Sequence, residues 1–256
     1  MVYMTRSVAD IARMPRGGPD ASCVDRLLQT DRLEYLDRDT DADAAGQARK
    51  RAVLQALEWT GQFFGETERF AKLVLDELAE IPDPKVLELG AGHGGLSRKL
   101  LEWHPTAELT VTDVDPASVA ALAASDLGAH PRATVRRMDA TDIDAPDHHF
   151  DLAVFALSFH HLTPPQAARA FAEGTRVADT LLIIDLPRPP SPLHLARLAV
   201  MLPFAPLVPF VHDGVISSLR SYSPSALRAL AAHADPAIEV DLRSGLMSPQ
   251  VVVARR

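Results

Sequence analysis

The stretch Val86-Leu87-Glu88-Leu89-Gly90-Ala91-Gly92-His93-Gly94-Gly95 constrains this chain more than any other. A short apolar run carrying one acid breaks into a glycine-rich loop, and Leu96-Ser97-Arg98-Lys99-Leu100 continues as a helix. The pattern reads as strand, tight loop and helix start. Glycines let the backbone turn sharply and let a ligand approach with no Cβ in the way. The free N–H groups of a helix start suit a polar or anionic ligand. A nucleotide-type cofactor therefore fits here, and the rest of the chain can be read against that expectation.

Downstream, strands and helices alternate. Leu109–Asp115 reads as a second strand with an acidic end, and Pro116 opens a helix through Val119 and Leu122. Thr134–Met138 is a third strand ending at Asp139-Ala140, and Phe150–Ala156 is a fourth. Thr163-Pro164-Pro165-Gln166 carries a helix-start signature: a threonine cap, early prolines and a glutamine three residues on. Leu181–Asp185 is a fifth strand, apolar on both faces as a central parallel strand should be. Such alternation implies a parallel sheet with helices on both faces. Ser223-Pro224 then opens a helix. Ile238–Arg243 and Val251–Ala254 follow as strands separated only by residues 244–249, too short a gap for a crossover helix, so they form an antiparallel hairpin.

Before the first strand the pattern is helical. Residues 21–82 form an extension over the cofactor domain, either a packing layer or a lid. Val24, Leu27, Leu28, Leu33 and Leu36 suggest a short amphipathic piece. Val53, Leu54, Leu57 and Phe64 share a second helical face, with Trp59 and Phe63 nearby, and Phe70, Leu73, Val74, Leu78 and Ile81 a third. Residues 1–20 carry Arg6, Asp10, Arg13 and Arg16 but no apolar h-region, and read as a poorly ordered tail, not a signal peptide. An apolar, proline-broken insertion at 186–221 is too interrupted for a membrane span. It reads as a helical flap over the carboxyl edge of the sheet, giving a substrate an apolar wall. With a formal net charge of -8 the chain lacks the basic face that nucleic acid requires. Cys23 is the only cysteine, which points to a reducing, cytoplasmic compartment.

The glycine pattern alone fits two cofactors. Gly90, Gly92 and Gly95 satisfy G-x-G-x-x-G, the dinucleotide fingerprint of an NAD-dependent oxidoreductase. Gly90, Gly92 and Gly94, preceded by Glu88, satisfy E-x-G-x-G-x-G. From about Phe70 to the C-terminus this second pattern resembles the class I S-adenosylmethionine-dependent methyltransferases. The acid ending the second strand, the Asp-Ala pair after the third, the Phe-Asp start of the fourth and the final hairpin all agree with it. The resemblance implies an α/β, Rossmann-like, doubly wound sheet of seven strands, mostly parallel, over residues 83–256. It implies that Gly90, Ala91, Gly92 and Gly94 pass under the methionine part of the cofactor and that Glu88 orients it. Asp115 would accept from both ribose hydroxyls, with Asp113 as its rival. Asp139 would accept from the adenine amino group, Ala140 would offer its N–H, and Phe155 would lie beside the cofactor.

Phe159-His160-His161-Leu162 follows the fourth strand, at the edge where ligands bind in open α/β sheets. A histidine there can take a proton from an acceptor hydroxyl near neutral pH. One of the pair should pack inward, with His160 expected to face the site. His212, beside Asp213 at the end of the flap, is a further candidate base. His93 sits in the glycine loop. A histidine pair could also bind metal, but no third ligand at suitable spacing is visible, so no metal site is expected. The resulting expectation is a methyltransferase for a small apolar or aromatic molecule, with O-methylation ahead of C- or N-methylation. A homodimer is compatible with it. A non-catalytic S-adenosylmethionine-binding regulator is the remaining alternative.

Overall fold

The structure is a computed structural model that describes residues 11–37, 44–243, 245 and 248–256. Seven strands form one sheet in the order β3-β2-β1-β4-β5-β7-β6. They are β1 (Lys85–Leu89), β2 (Glu108–Asp113), β3 (Ala133–Arg137), β4 (Phe150–Ala156), β5 (Ala178–Asp185), β6 (Glu239–Arg243) and β7 (Gln250–Arg255). The first five pair in parallel, and β7 runs antiparallel to both β5 and β6. The terminal hairpin is thus as the short gap requires, and β7 is inserted beside β5.

Strand periodicity divides the core into two layers. On β1, Leu87 and Leu89 face a cluster that holds Phe155, Phe159 and Phe171. Val86 faces the other, with Val74, Leu100 and Val154. Glu88 shares the Val86 face. It pairs with Val111 on β2 and Val154 on β4, in the middle of the sheet near its carboxyl edge. The packing helices are α1 (Cys23–Leu27), α2 (Ala44–Phe64), α3 (Glu66–Glu77), α4 (Gly95–Trp103), α5 (Pro116–Ala123), α6 (Asp126–Ala129), α7 (Pro164–Val177), α8 (Ser191–Met201), α9 (Pro209–Arg220) and α10 (Pro224–Ala234). Thr163 and Gln166 close the capping box at the start of α7, and Ser223 caps α10. Among the described residues no helix is long and apolar enough to cross a membrane.

Three boundaries differ from the sequence expectation. β2 ends at Asp113, because the Asp115 side chain accepts from the backbone N–H groups of Ala117 and Ser118 and so caps α5. The expected amphipathic piece shrinks to α1, which buries no residue; Leu27 is 82% exposed and Leu33 51%. The expected tail is packed from Ile11 onward, while residues 1–10 lie outside the described set. Arg16 is only 3% exposed and stacks over the Tyr222 ring at 4.7 Å. Of the second helical face, Val53 is buried and Leu54 exposed; the side chains of Leu57, Trp59, Phe63 and Phe64 lie outside the described residues.

Candidate active site

The loop after β1 lies at the carboxyl edge of the sheet, with Gly90, Gly92 and Gly94 all at positive φ (69°, 54° and 77°). A Cβ on Gly90 would meet the Ser158 side chain at 2.9 Å, and one on Gly94 would strike Leu127 and Leu122. One on Gly92 would meet nothing within 4 Å. The loop thus presents bare backbone to open space at Gly92 and is wedged against the fold at Gly94. Ala91 ties it to β2, its N–H donating to the Thr112 carbonyl at 2.8 Å.

Around this loop the predicted cofactor residues gather in one cleft of ≈ 2650 Å³ that Glu88, Gly90, Ala91, Gly92, Asp113, Asp115, Asp139, Ala140 and Phe155 all line. A single small ligand occupies roughly 300–1,000 Å³, so a cofactor and an acceptor fit together. Asp113 leans back over the loop: its carboxylate accepts from the Gly92 N–H at 2.9 Å and from the Asp115 N–H at 2.9 Å. Both Asp115 oxygens are taken by the start of α5. The Asp139 Oδ1 accepts from the Thr141 N–H and hydroxyl, each at 2.8 Å, and among the described residues nothing bonds its Oδ2. Burial pushes the Glu88 carboxyl up to about 7, against the stabilising hydroxyl of Ser97. Gly94 does not line the cleft; its place is structural.

Opposite the loop lies a cluster of titratable groups. His160 is the inward histidine of the pair, which reverses the expected orientation: it is 3% exposed, while the His161 side chain is 26% exposed. The reason is Asp185, at the end of β5. It takes the His160 backbone N–H and the ring Nδ1–H, both at 2.7 Å. Burial works against charge on the His160 ring, but the carboxylates of Asp185 and Glu34 outweigh it and raise the ring to about 9. His161 donates its Nδ1–H to Asp37 at 3.0 Å. Burial likewise opposes charge on Glu34, yet the His161 and His160 rings and the Ser217 hydroxyl hold it below the usual carboxylate range. His212 does not line the cleft. It stacks on Tyr35 at 4.3 Å and pairs with Asp213 at 2.9 Å.

Sequence reasoning missed Glu34, Asp37 and Asp185. Asp185 had a signal, an acid ending a central strand at the ligand edge. Glu34 and Asp37 had only their places in Leu33-Glu34-Tyr35-Leu36-Asp37, where acids interrupt an apolar run. The flap supplies Leu186, Pro187, Leu193, Met201, Phe204 and Phe210 to the same cleft, an apolar wall facing the loop.

A family model described as a methyltransferase domain matches residues 86–180, from β1 into β5. The chain belongs to the class I S-adenosylmethionine-dependent methyltransferases. That decides between the two cofactors the glycines allow, in favour of S-adenosylmethionine over NAD. A malonyl-[acyl-carrier protein] O-methyltransferase of Geobacter sulfurreducens is 34% identical over 43% of this chain and 39% of its own length. A ubiquinone/menaquinone biosynthesis C-methyltransferase of Ectopseudomonas mendocina is 27% identical over 50% and 52%. The chain thus spans about half the length, or less, of these curated relatives. An O-methyltransferase family protein of Burkholderia thailandensis shares the fold, with TM-score 0.62 and 16% identity over 90% of this chain and 66% of that one. The bare backbone at Gly92 and the acids Asp113 and Asp139 around the cleft fit a cofactor with a diol and an amino-bearing base.

Proposed function

We propose that this methyltransferase transfers a methyl group from S-adenosylmethionine to a small apolar or aromatic molecule, with an oxygen as the favoured acceptor atom. The observation that carries the reading is the shared cleft, with the glycine loop on one side and the Glu34–His160–His161 cluster and apolar flap on the other. An O-methyltransferase and a quinone C-methyltransferase among the relatives support both acceptor types and an apolar or acyl-bearing substrate.

S-adenosylmethionine supplies a methyl group already activated on a sulfonium. What the chain adds is position and dryness. The loop at Gly90–Gly92 receives the methionine end, with Glu88 beneath it. Asp113 is the ribose acid in this reading, because it ends β2 beside the loop while Asp115 is engaged in capping. Asp139 takes the adenine amino group, Ala140 offers its N–H, and Phe155 lies alongside. The acceptor sits under the flap with its reacting oxygen toward the cluster. There His161 and Glu34 are the groups to relieve it of a proton, since His160 is fixed on Asp185. His212 has no part in this reading.

Titration calorimetry with S-adenosylmethionine and its demethylated product tests the cofactor claim. The expected result is one saturable site for each, with Asp113→Asn weakening binding at least tenfold, as expected for the loss of a charged hydrogen-bond acceptor, and Asp115→Asn weakening it less. No binding by the wild-type chain would end the reading. A product screen over phenols, hydroxyquinones and acyl carboxylates then identifies the acceptor.

A further inference from the structure

Glu34, His160 and His161 come from distant parts of the chain, yet their donor atoms all lie within 4.8 Å of one another. The Nε2 of His160 stands 3.5 Å from one Glu34 oxygen, and the Nε2 of His161 stands 4.0 Å from the other. These separations are long for hydrogen bonds. They are close to what one ion would impose, because ligands at about 2.1 Å in tetrahedral geometry lie about 3.4 Å from each other.

The far side of each ring points the same way. Nδ1 of His160 is held by Asp185 at 2.7 Å, and Nδ1 of His161 by Asp37 at 2.9 Å. Each carboxylate fixes its ring in the tautomer that leaves a lone pair on Nε2. Metal-binding histidines are typically oriented in this manner. The Nε2 of His160 is buried and has no hydrogen-bond partner. Buried polar atoms are seldom left so, and this one aims into the cluster. Glu34 is itself steadied by the Ser217 hydroxyl at 2.7 Å, and the backbone of the histidine pair by Arg16 and Arg220, which donate to the His160 and His161 carbonyls.

We propose that Glu34, His160 and His161 bind one divalent transition-metal ion of the zinc class, leaving its remaining coordination toward the cleft that all three line. Two imidazoles and one carboxylate with an open position form the donor set of catalytic rather than structural zinc sites. The open position suits an oxygen of the methyl acceptor, and that role alone rests on the methyl-transfer reading.

The test uses the full chain after chelator treatment, titrated with Zn²⁺ by calorimetry and with Co²⁺ by visible absorption. One ion per chain is expected, with the Co²⁺ spectrum of a low-coordinate site. Glu34→Gln and His161→Ala should each weaken Zn²⁺ binding about 100-fold or more, and Asp37→Asn, which only orients a ligand, about 10–100-fold. The less buried Asp37 and His161 carry the test because deleting the buried His160 ring threatens the fold. No saturable Zn²⁺ binding by the wild type, or equal binding by all three variants, overturns the proposal. S-adenosylmethionine titrations on the same samples separate the two claims. A chain that binds the cofactor but not Zn²⁺ refutes the metal site alone. One that binds Zn²⁺ but not the cofactor refutes methyl transfer alone.

Discussion

At the scale of single residues, Glu88 shows how far the fold departs from what its carboxyl would choose. It is 3% exposed, with Ser97 as its side-chain partner. Its folded pKa of about 7 exceeds the ordinary 4.5. A raised acid binds more protons folded than unfolded between those values, so its contribution to stability is fully present below pH 4.5 and lost as pH rises through 7. Between pH 5 and pH 8 the wild type should therefore lose roughly 2–3 kcal/mol more than Glu88→Gln, whose amide keeps a partner for Ser97 without a charge. Urea unfolding of both proteins at the two pH values measures this. Equal losses would show that Glu88 is already ionised in the fold. The neighbouring acids illustrate a second residue-level point. The sequence Thr112-Asp113-Val114-Asp115-Pro116 offers two carboxylates, and what separates them is work already assigned. Asp115 precedes a proline at the helix start and caps that helix, which leaves Asp113 at the strand end.

At the scale of elements, the glycine loop divides its labour in a way that single substitutions can expose. Gly94→Ala must hold φ near 77° and push against Leu127 and Leu122, so a loss of roughly 2–3 kcal/mol is expected. Gly92→Ala carries the backbone strain alone, at roughly 1–2 kcal/mol, because its Cβ meets open space. That open space is where the cofactor is proposed to pass. Thermal unfolding should therefore rank Gly94→Ala as the less stable variant, while calorimetry ranks Gly92→Ala as the weaker binder of S-adenosylmethionine. If both fall together in both assays, the division is wrong. The loop was legible in sequence because its signals are local: apolar strand, glycines, helix. The same holds for β4 and β5, the Thr163 cap and the terminal hairpin. The segment before α2 was not legible in this way. Its apolar residues Leu27 and Leu33 stay exposed, and its buried member is an acid, Glu34. Its order comes from polar contacts with α8, α9 and α10, such as the Tyr35 N–H on Asp213 and Asp25 on Ser191. No periodicity records partners that far away in the chain.

At the scale of the whole molecule, residues 11–37 act as a strap across the carboxyl-edge side of the fold. Arg16 is its anchor: the guanidinium donates to the carbonyls of His160 and Arg220, and the backbone takes the Ser223 N–H at 2.9 Å. Arg188 grips the strap from the other side, donating to the Leu28 carbonyl at 2.6 Å. Gly18 lies at φ 90° so close to α10 that a Cβ would come within 2.6 Å of the Ala226 nitrogen. The strap brings Glu34 and Asp37 to the histidine pair, but the printed partners of Gly90, Ala91, Gly92 and Asp113 all belong to the sheet and its loops. Cofactor and acceptor halves of the cleft therefore depend on different parts of the chain. Arg16→Ala leaves two buried carbonyls short of a donor, which should cost about 2–4 kcal/mol and lower the melting temperature by several degrees. Its effect on function should be uneven. S-adenosylmethionine affinity should stay within about twofold, because no strap residue supports the glycine loop. Turnover should fall at least tenfold, because the backbone of His160 and the approach of Glu34 both rest on the strap. Assays below the lowered melting temperature separate the two readouts, and cofactor affinity falling in step with turnover would show that the strap supports the entire cleft.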